Sequence, residues 1–439
     1  MARILPFRAL RYSSTLLPDT AKVIAPPYDV ISPAERERLA TQDSHNVVRL
    51  DLPEGEGDAK YAASKALLDA WVASGHLVED AAPAIYRYEQ VFAFDVGTGM
   101  KSYTRKGFFA QIELSPFSER QVLPHENTLS GPKVDRFKLI TGTQAHFSQI
   151  FSLYRDAEGL AEAALDGACQ GPATVDCTTP DGCRHRLWAI TDSRVIAQVT
   201  GALSPKQVMI ADGHHRYDTM VAVRDALRPK DAPKGTSQAD FGPMFFARAE
   251  DPGLLVLPTH RMVNEVPDAA LAALAKSAAP WFEIEEGSET TAVAISDRLR
   301  VSGAKAVTFA IRRPGQAKTL WLRLKPDADL SRLGPPTLGC LDVSVLHGLV
   351  LDPLLGIGAE AMAKQKNLTY SHDFATTLSQ VEAGKVQAAF LMNPTKVDQV
   401  LDACEAGFVL PQKSTYFQPK LATGLVMQLI RPSEPPAGV

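Results

Sequence analysis

The sequence predicts an α+β fold of mixed sheets with flanking helices, and three stretches carry that prediction. Residues 208–211 (VMIA) form a short apolar run that reads as a buried strand; Asp212 and Gly213 break it, and residues 217–226 have the apolar spacing of a helix resting on that strand. Residues 84–95 and 102–114 read as two strands joined by a turn at Gly97-Thr98-Gly99. Between Pro267 and Pro326 a helix, a strand at 282–285, a second helix and strands at 306–312 and 319–324 follow one another as a small α+β unit.

In chain order, apolar residues 7–10 and 23–25 flank an irregular stretch that ends in Pro26-Pro27-Tyr28-Asp29-Val30. Tandem prolines hold an extended path. Ser32-Pro33-Ala34-Glu35 then has the form of a capping box with proline at the first helical position. Tyr28 and Asp29 therefore sit on a stiffened loop, either as a functional pair or as a rigid turn. Residues 47–52 read as a strand, and Asp58 caps a helix with a stripe of Tyr61, Leu67, Leu68, Trp71 and Val72 that Gly75 ends. The 121–138 stretch (QVLPHENTLSGPKVDRFK) is polar: His125, Glu126, Asn127 and Thr128 precede Lys133, Asp135, Arg136 and Lys138 on a short helix-like run. A His-Glu pair beside cations supplies a general base and phosphate clamps, or else a charge-balanced surface loop.

An apolar strand closes at 154, a helix covers 160–169, and a hairpin turns at Asp181-Gly182 between Cys177 and Cys183. A helix near Ala202 leads to the strand at 208. After the motif, 228–242 reads as a surface loop. Two strand-like runs follow, the second delivering Pro258-Thr259-His260-Arg261. Residues 341–355 form an apolar helix with His347 inside it, a core or contact histidine. A strand at 386–392 meets Asn393-Pro394, read as the cap of a helix that Gly407 stops. Lys413, Ser414, Thr415, Tyr416 and Lys420 offer charges and hydroxyls suited to an anion, and a strand is expected at 423–430.

Asp212, His214, His215 and Arg216 lie where strand becomes helix. A helix N-terminus presents unpaired backbone N–H groups and the positive end of its dipole. Two imidazoles, a guanidinium and a carboxylate there suit a phosphate, a metal-bound phosphate or a proton transfer. The plainer alternative is a polar loop in which Asp212 caps the helix.

Composition excludes several classes. The 439 residues are 45% hydrophobic and 22% charged with a formal net charge of −4, so no broad basic face for nucleic acid is indicated. No stretch approaches a membrane span, and MARILPFRALRYSS lacks the apolar core of a signal peptide. Five cysteines without a CxxC pair do not form a disulfide framework, and Cys177, Cys183 and His185 lack the ligand spacing of structural zinc. A reduced, cytoplasmic protein is expected.

The blocks PFRAL, APPYDVIS, PHENTLSGPKVDR, ADGHHRY, LPTHR, LDVSVLH and PQKSTYFQPKLATGL, in that order, resemble the prokaryotic family called domain of unknown function 1015. The central motif is also similar to that of the free serine kinases of the ParB/sulfiredoxin-like superfamily, which carry a His-Glu element followed by Asp-Gly-His-x-Arg. Here His125-Glu126 and Asp212-Gly213-His214-His215-Arg216 stand in that order. The resemblance implies a ParB/sulfiredoxin-like nucleotide-binding core at 121–262. Around it the sequence suggests an N-terminal α/β part at 1–120, the small α+β unit at 263–330 and a C-terminal α/β part at 331–439 closing the site.

The activity so implied is nucleotide-dependent phosphotransfer on a small hydroxylated metabolite, with serine or phosphoserine the first candidate in either direction; the alternative is a non-catalytic nucleotide sensor. Glu126, Asp212 and His215 are the expected catalytic residues. His125, Gly213, His214, Arg216, His260, Arg261, Lys413, Ser414, Thr415 and Lys420 are expected to bind ATP or ADP, and Asp212 to hold Mg²⁺. All are expected in one cleft, and Asp212→Asn is expected to abolish turnover with little effect on melting. The partners are then a small-molecule substrate and a nucleotide, without nucleic acid or membrane; homodimerisation is one job open to the 263–330 unit.

Overall fold

The computed structural model describes residues 2–96, 99–126, 131–339, 341–364, 367–411 and 413–438. Two sheets organise these residues, and the fold is mixed α+β. The first sheet takes nine strands: β1 (Ile4–Leu5), β2 (Ile85–Asp95), β3 (Met100–Glu113), β4 (Val122–Leu123), β5 (Ile150–Tyr154), β6 (Val175–Thr178), β7 (Arg184–Ile190), β8 (Val208–Asp212) and β9 (Phe241–Arg248). Their order is β4-β8-β5-β9-β3-β2-β7-β6, with β1 beside β3. β8 runs parallel to β4 and β9 parallel to β5, while the other pairs are antiparallel.

The central strands explain the apolar runs of the sequence. All five residues of β5 are buried, as are the first seven of β9, because both faces of the sheet are covered. Helices α1 (Gly131–Thr143) and α2 (His214–Leu227) pack together beside it. The second sheet is wholly antiparallel, with strands β10 (His260–Val263), β11 (Phe282–Gly287), β12 (Thr308–Arg312), β13 (Thr319–Leu324), β14 (Leu368–Ser371) and β15 (Ala388–Leu391). Its order is β11-β13-β12-β15-β10-β14. One apolar core joins the two sheets: Phe151, Met209 and Phe245 of the first belong to the same cluster as Val263, Phe309 and Phe390 of the second. The apolar stretch at 342–355 lies in that core as two short α-helical turns, Asp342–Leu346 and Asp352–Leu355, around a π-helical turn at His347–Leu351.

After the second sheet the chain returns to the first. Phe417–Gln418 pairs with Leu255–Val256, Thr423 bridges Ala25, Met427 bridges Leu10, and Gln428–Leu429 pairs with Ala145–His146. The long strand expected at 423–430 is thus a strap that borrows short pairings from distant segments.

Other local expectations change for identifiable reasons. Residues 47–52 are not a strand: Val48–Asp51 is helical, because Asn46 Oδ1 accepts the Val48 N–H at 3.0 Å and the apolar run is only one turn long. Asp58 makes no side-chain cap, and Val72 is exposed while Ser64 takes its place on the buried face. Asn393-Pro394 does not start the last helix, which spans Val397–Glu405 after Lys396. Ser32 does cap its helix, accepting the Glu35 N–H at 3.2 Å. The turn glycine pair falls partly outside the described residues, at Gly97 and Thr98.

Candidate functional site

The site begins where β8 ends. Gly213 takes φ 98°, a left-handed conformation in which a Cβ would lie 2.9 Å from Arg216 Nε, so glycine alone lets β8 turn into α2 there. The helix starts at His214, earlier than the apolar spacing suggested, and Gly213 rather than Asp212 is its N-cap. Asp212 is freed to look inward. Its Oδ1 accepts Lys420 Nζ at 2.8 Å, and its Oδ2 accepts Arg216 at 2.5 Å. Burial opposes its ionisation, yet Lys420 and Arg216 together hold the carboxylate below the usual range. Arg216 also donates to the Gln149 carbonyl at 2.6 Å, which fixes the guanidinium plane.

His125 is buried against this turn. Its Nδ1 donates to the Ile210 carbonyl at 2.8 Å, so Nε2 keeps its lone pair and accepts the Thr415 hydroxyl at 2.9 Å. The His125 backbone N–H donates to His214 Nε2 at 3.1 Å, and the two rings meet edge to face at 4.4 Å. Burial lowers both imidazole pKa values, and each ring is neutral near pH 7. Glu126 Oε1 lies 3.9 Å from His125 Nε2. Its charge is also felt by His215, Arg261 and Tyr370. Glu126 and Asp212 are each 21% exposed, so solvent reaches both carboxylates. His215 is half-buried, with its pKa lowered first by burial and then by Lys133.

The 411–420 loop closes one side. Lys413 has φ 57° and is exposed, and Ser414 turns its hydroxyl back onto the Pro411 carbonyl. Thr415 reaches His125, and Lys420 lies 4.3 Å over the Tyr416 ring. The Lys420 carbonyl is held by Gln90 at 3.0 Å.

Most of the expected residues therefore meet: His125, Glu126, Asp212, Gly213, His214, His215, Arg216, Thr415 and Lys420 share one neighbourhood. Two others face away from open space. His260 is fully buried, accepts the Met392 N–H at 3.3 Å and packs edge-on to Phe374, with burial pushing its pKa down to about 3. Arg261 is equally buried and donates to His347 Nε2 at 3.2 Å, to Met392 Sδ at 3.2 Å, to the Thr259 carbonyl and to the Lys413 carbonyl at 3.1 Å. Its guanidinium is spent on anchoring the loop. Ser414 likewise serves the loop's own turn. Asn127 and Thr128 lie outside the described residues.

Two residues near the site, Asp51 and Arg105, had no sequence signal, whereas Tyr28, Asp29 and Arg136 lie in stretches that the sequence did mark. Asp51 binds Arg136 at 3.0 Å, Arg136 lies 4.4 Å over the Tyr28 ring, and Asp51, Asp29 and Tyr28 all act on the charge of Arg216. Tyr28 and Asp29 thus bring the proline-stiffened loop to the central motif. Arg105 is fully buried over the Phe151 ring at 4.5 Å, pushed down to about 10 by burial, with Asp212 among the charges it faces. A lone arginine inside a strand carries no pattern from which this can be read. Among the described residues no group of three or more His, Cys, Asp or Glu is arranged to hold a metal, and no helix is long and apolar enough to cross a membrane.

Comparison with known proteins gives one family. That described as protein of unknown function (DUF1015) matches residues 4–344. No curated protein matches the chain. Similar solved structures include a free serine kinase variant in complex with AMP (12% identity, 75% of this chain and 92% of that one, TM-score 0.38). A conserved hypothetical protein from Pyrococcus furiosus (14%, 68% and 87%, 0.34) and C-terminally truncated SbnI from Staphylococcus aureus (10%, 71% and 85%, 0.33) are also similar. All three TM-scores lie below the level at which a shared fold is established.

Proposed function

The chain belongs to the DUF1015 family, and for this member we propose nucleotide-dependent phosphotransfer on a small hydroxylated metabolite, with serine or phosphoserine as the first candidate. The observation that carries the reading is the Asp212 turn. A partly exposed carboxylate with a cation on each oxygen stands at a helix N-terminus, and a second carboxylate, Glu126, stands beside neutral His125. Phosphoryl transfer asks mainly for positioning and charge neutralisation. Lys420, Arg216 and the backbone N–H groups that open α2 supply the positive charge for a polyphosphate. As Lys420 turns from Asp212 towards the phosphates, the helix end and Arg216 keep Asp212 ionised.

Glu126 is the base. The acceptor hydroxyl oxygen forms a bond to the terminal phosphorus while the bridging P–O bond breaks; the proton passes to Glu126, and the nucleoside diphosphate leaves with the electron pair. Run backwards, the same groups return a phosphoryl group to the diphosphate. Thr415, by holding the His125 lone pair, keeps that imidazole neutral and fixed beside Glu126.

The donor set does not fit a resident Mg²⁺. Before a nucleotide arrives both oxygens of Asp212 are taken by Lys420 and Arg216, and among the described residues no group of three or more His, Cys, Asp or Glu is arranged around it to hold a metal once Lys420 moves. Mg²⁺ belongs in this reading to the nucleotide that carries it, as part of the substrate, and no step is assigned to it.

The test is transfer of labelled phosphate from ATP to serine and to a panel of hydroxylated metabolites, with Glu126→Gln as the control. The expected result is transfer by the natural sequence and at least a hundredfold loss in the variant. Nucleotide binding without transfer to any acceptor would leave a sensor. Absence of both, with no thermal stabilisation by any nucleotide at millimolar concentration, removes the reading.

A further inference from the structure

A cleft of about 270 Å³ opens directly behind Lys420. Two stretches without a part in the chemistry so far meet there: the loop and helix after residue 21, and the tip of the β6–β7 hairpin. Lys420 is one of its walls, and the ammonium of that residue lies 2.8 Å from Asp212, so the cleft abuts the residue that carries the charged centre's cation. Its other walls are chiefly apolar, among them Ile24, Val30, Leu39, Ala422 and the ring of Tyr416.

Most of the polar side chains around it already have partners. His185 Nδ1 is 2.6 Å from the Tyr88 hydroxyl and its Nε2 is 3.0 Å from Thr179 Oγ1. Gln90 donates to the Lys420 carbonyl and to Cys183 Sγ, and accepts from Arg105. At the rim Arg38 is held by Glu35 at 2.7 Å and 2.8 Å. A free amino acid needs one partner for its ammonium and another for its carboxylate, and the charged pair at the rim, Glu35 and Arg38, is already joined. A flat, weakly polar ring needs apolar walls and a cation at its phosphate-bearing end, which are present. The volume sits near the small end of ligand clefts, about 300 to 1,000 Å³.

Resting on the phosphotransfer reading, we propose that this cleft takes the nucleoside part of the phosphoryl donor, the polyphosphate running past Lys420 to Asp212. The acceptor then occupies the opposite side, near Glu126 and His215. The cleft recognises a heterocyclic ring with its sugar, so inorganic polyphosphate forgoes that share of binding.

Calorimetric titration of the full chain with ADP, GDP, CDP, UDP and inorganic pyrophosphate tests this. At least one nucleoside diphosphate is expected to bind about tenfold more tightly than pyrophosphate. Ala422→Trp, which fills the cleft from a half-buried wall, should abolish that preference and leave pyrophosphate affinity within about twofold. Val30→Trp, at the exposed rim, provides a second variant should the first fail to fold, as judged by its melting temperature. Unchanged nucleotide affinity in a folded variant overturns the proposal, as does equal loss for nucleotide and pyrophosphate. Pyrophosphate binding to the natural sequence without any nucleoside preference also overturns it but leaves the centre at Asp212 standing. Binding of neither ligand removes both.

Discussion

Of the three His-Arg dipeptides in the sequence, those at 215–216 and 260–261 have opposite fates. Arg216 lies four residues after Asp212, across the turn that Gly213 makes, and its charge has a carboxylate partner that is itself 21% exposed. His260 and Arg261 are successive residues within β10, so they point to opposite faces of a sheet covered on both. Among the described residues no carboxylate is a hydrogen-bond partner of Arg261, and burial drives its pKa down to about 10, whereas burial at Arg216 is outweighed by Asp212 and neighbouring charges, which raise it. Identical chemistry meets a carboxylate at a helix N-terminus and becomes framework in a sheet interior. The element, and not the residue pair, decides which.

Three substitutions or conditions probe that contrast. The largest effect belongs to the framework copy. Arg261→Met removes the donors to the Thr259 and Lys413 carbonyls and should cost about 3 kcal/mol in urea unfolding, because each stranded buried acceptor costs about 1–3 kcal/mol. Unchanged stability would show that Arg261 anchors nothing and return it to the list of ligand-binding residues.

Asp212→Asn comes next. The sequence suggested that this change would spare the fold, but two cations, with Arg216 buried, lose their counter-charge. A loss of about 2 kcal/mol is therefore expected beside the loss of phosphotransfer. An unaltered melting temperature would mean that Lys420 and Arg216 relax into solvent and that the pairing is weak.

The smallest effect concerns acid stability. His260 has a folded pKa of about 3, below the unfolded value near 6.5. The unfolded chain therefore binds the extra proton; stability is complete above about pH 6.5 and is lost as pH falls towards the folded value. At pH 5.5 this histidine should account for about 1 kcal/mol of lost stability. His260→Phe should flatten the pH dependence of melting by that amount, and His215→Phe, at a half-buried position, by less. Equal slopes for the two variants would contradict the burial assigned to His260.

The legible part of the molecule was its local pattern. The β2–β3 and β6–β7 hairpins, the strand-to-helix turn at Gly213 and the alternation between 267 and 326 each follow from period and turn chemistry in a short window. What could not be read depends on partners far along the chain. Residues 423–430 look like one strand because their several partners are separate. At the site, His125-Glu126 and the DGHHR motif announced themselves by charge density. Asp51, Arg105 and Gln149 did not, since a single polar residue in a short window looks the same whether it is buried or exposed. His260 and Arg261 were overvalued for the same reason.

The strap at 413–430 bears on how the molecule comes into being. Every segment it binds, from Leu10 and Ala25 to Ala145–His146 and Leu255–Val256, precedes it in the chain. Chains are made N-terminus first at about 5–20 residues per second. Both sheets can therefore assemble while Lys420 and Thr415 are still to be added, and His125 and Asp212 wait without their partners. Closing pairings of such long sequence separation is slow. The charged centre is consequently completed after both sheets have all their strands, and a polypeptide caught before that moment lacks Thr415 for His125 and Lys420 for Asp212.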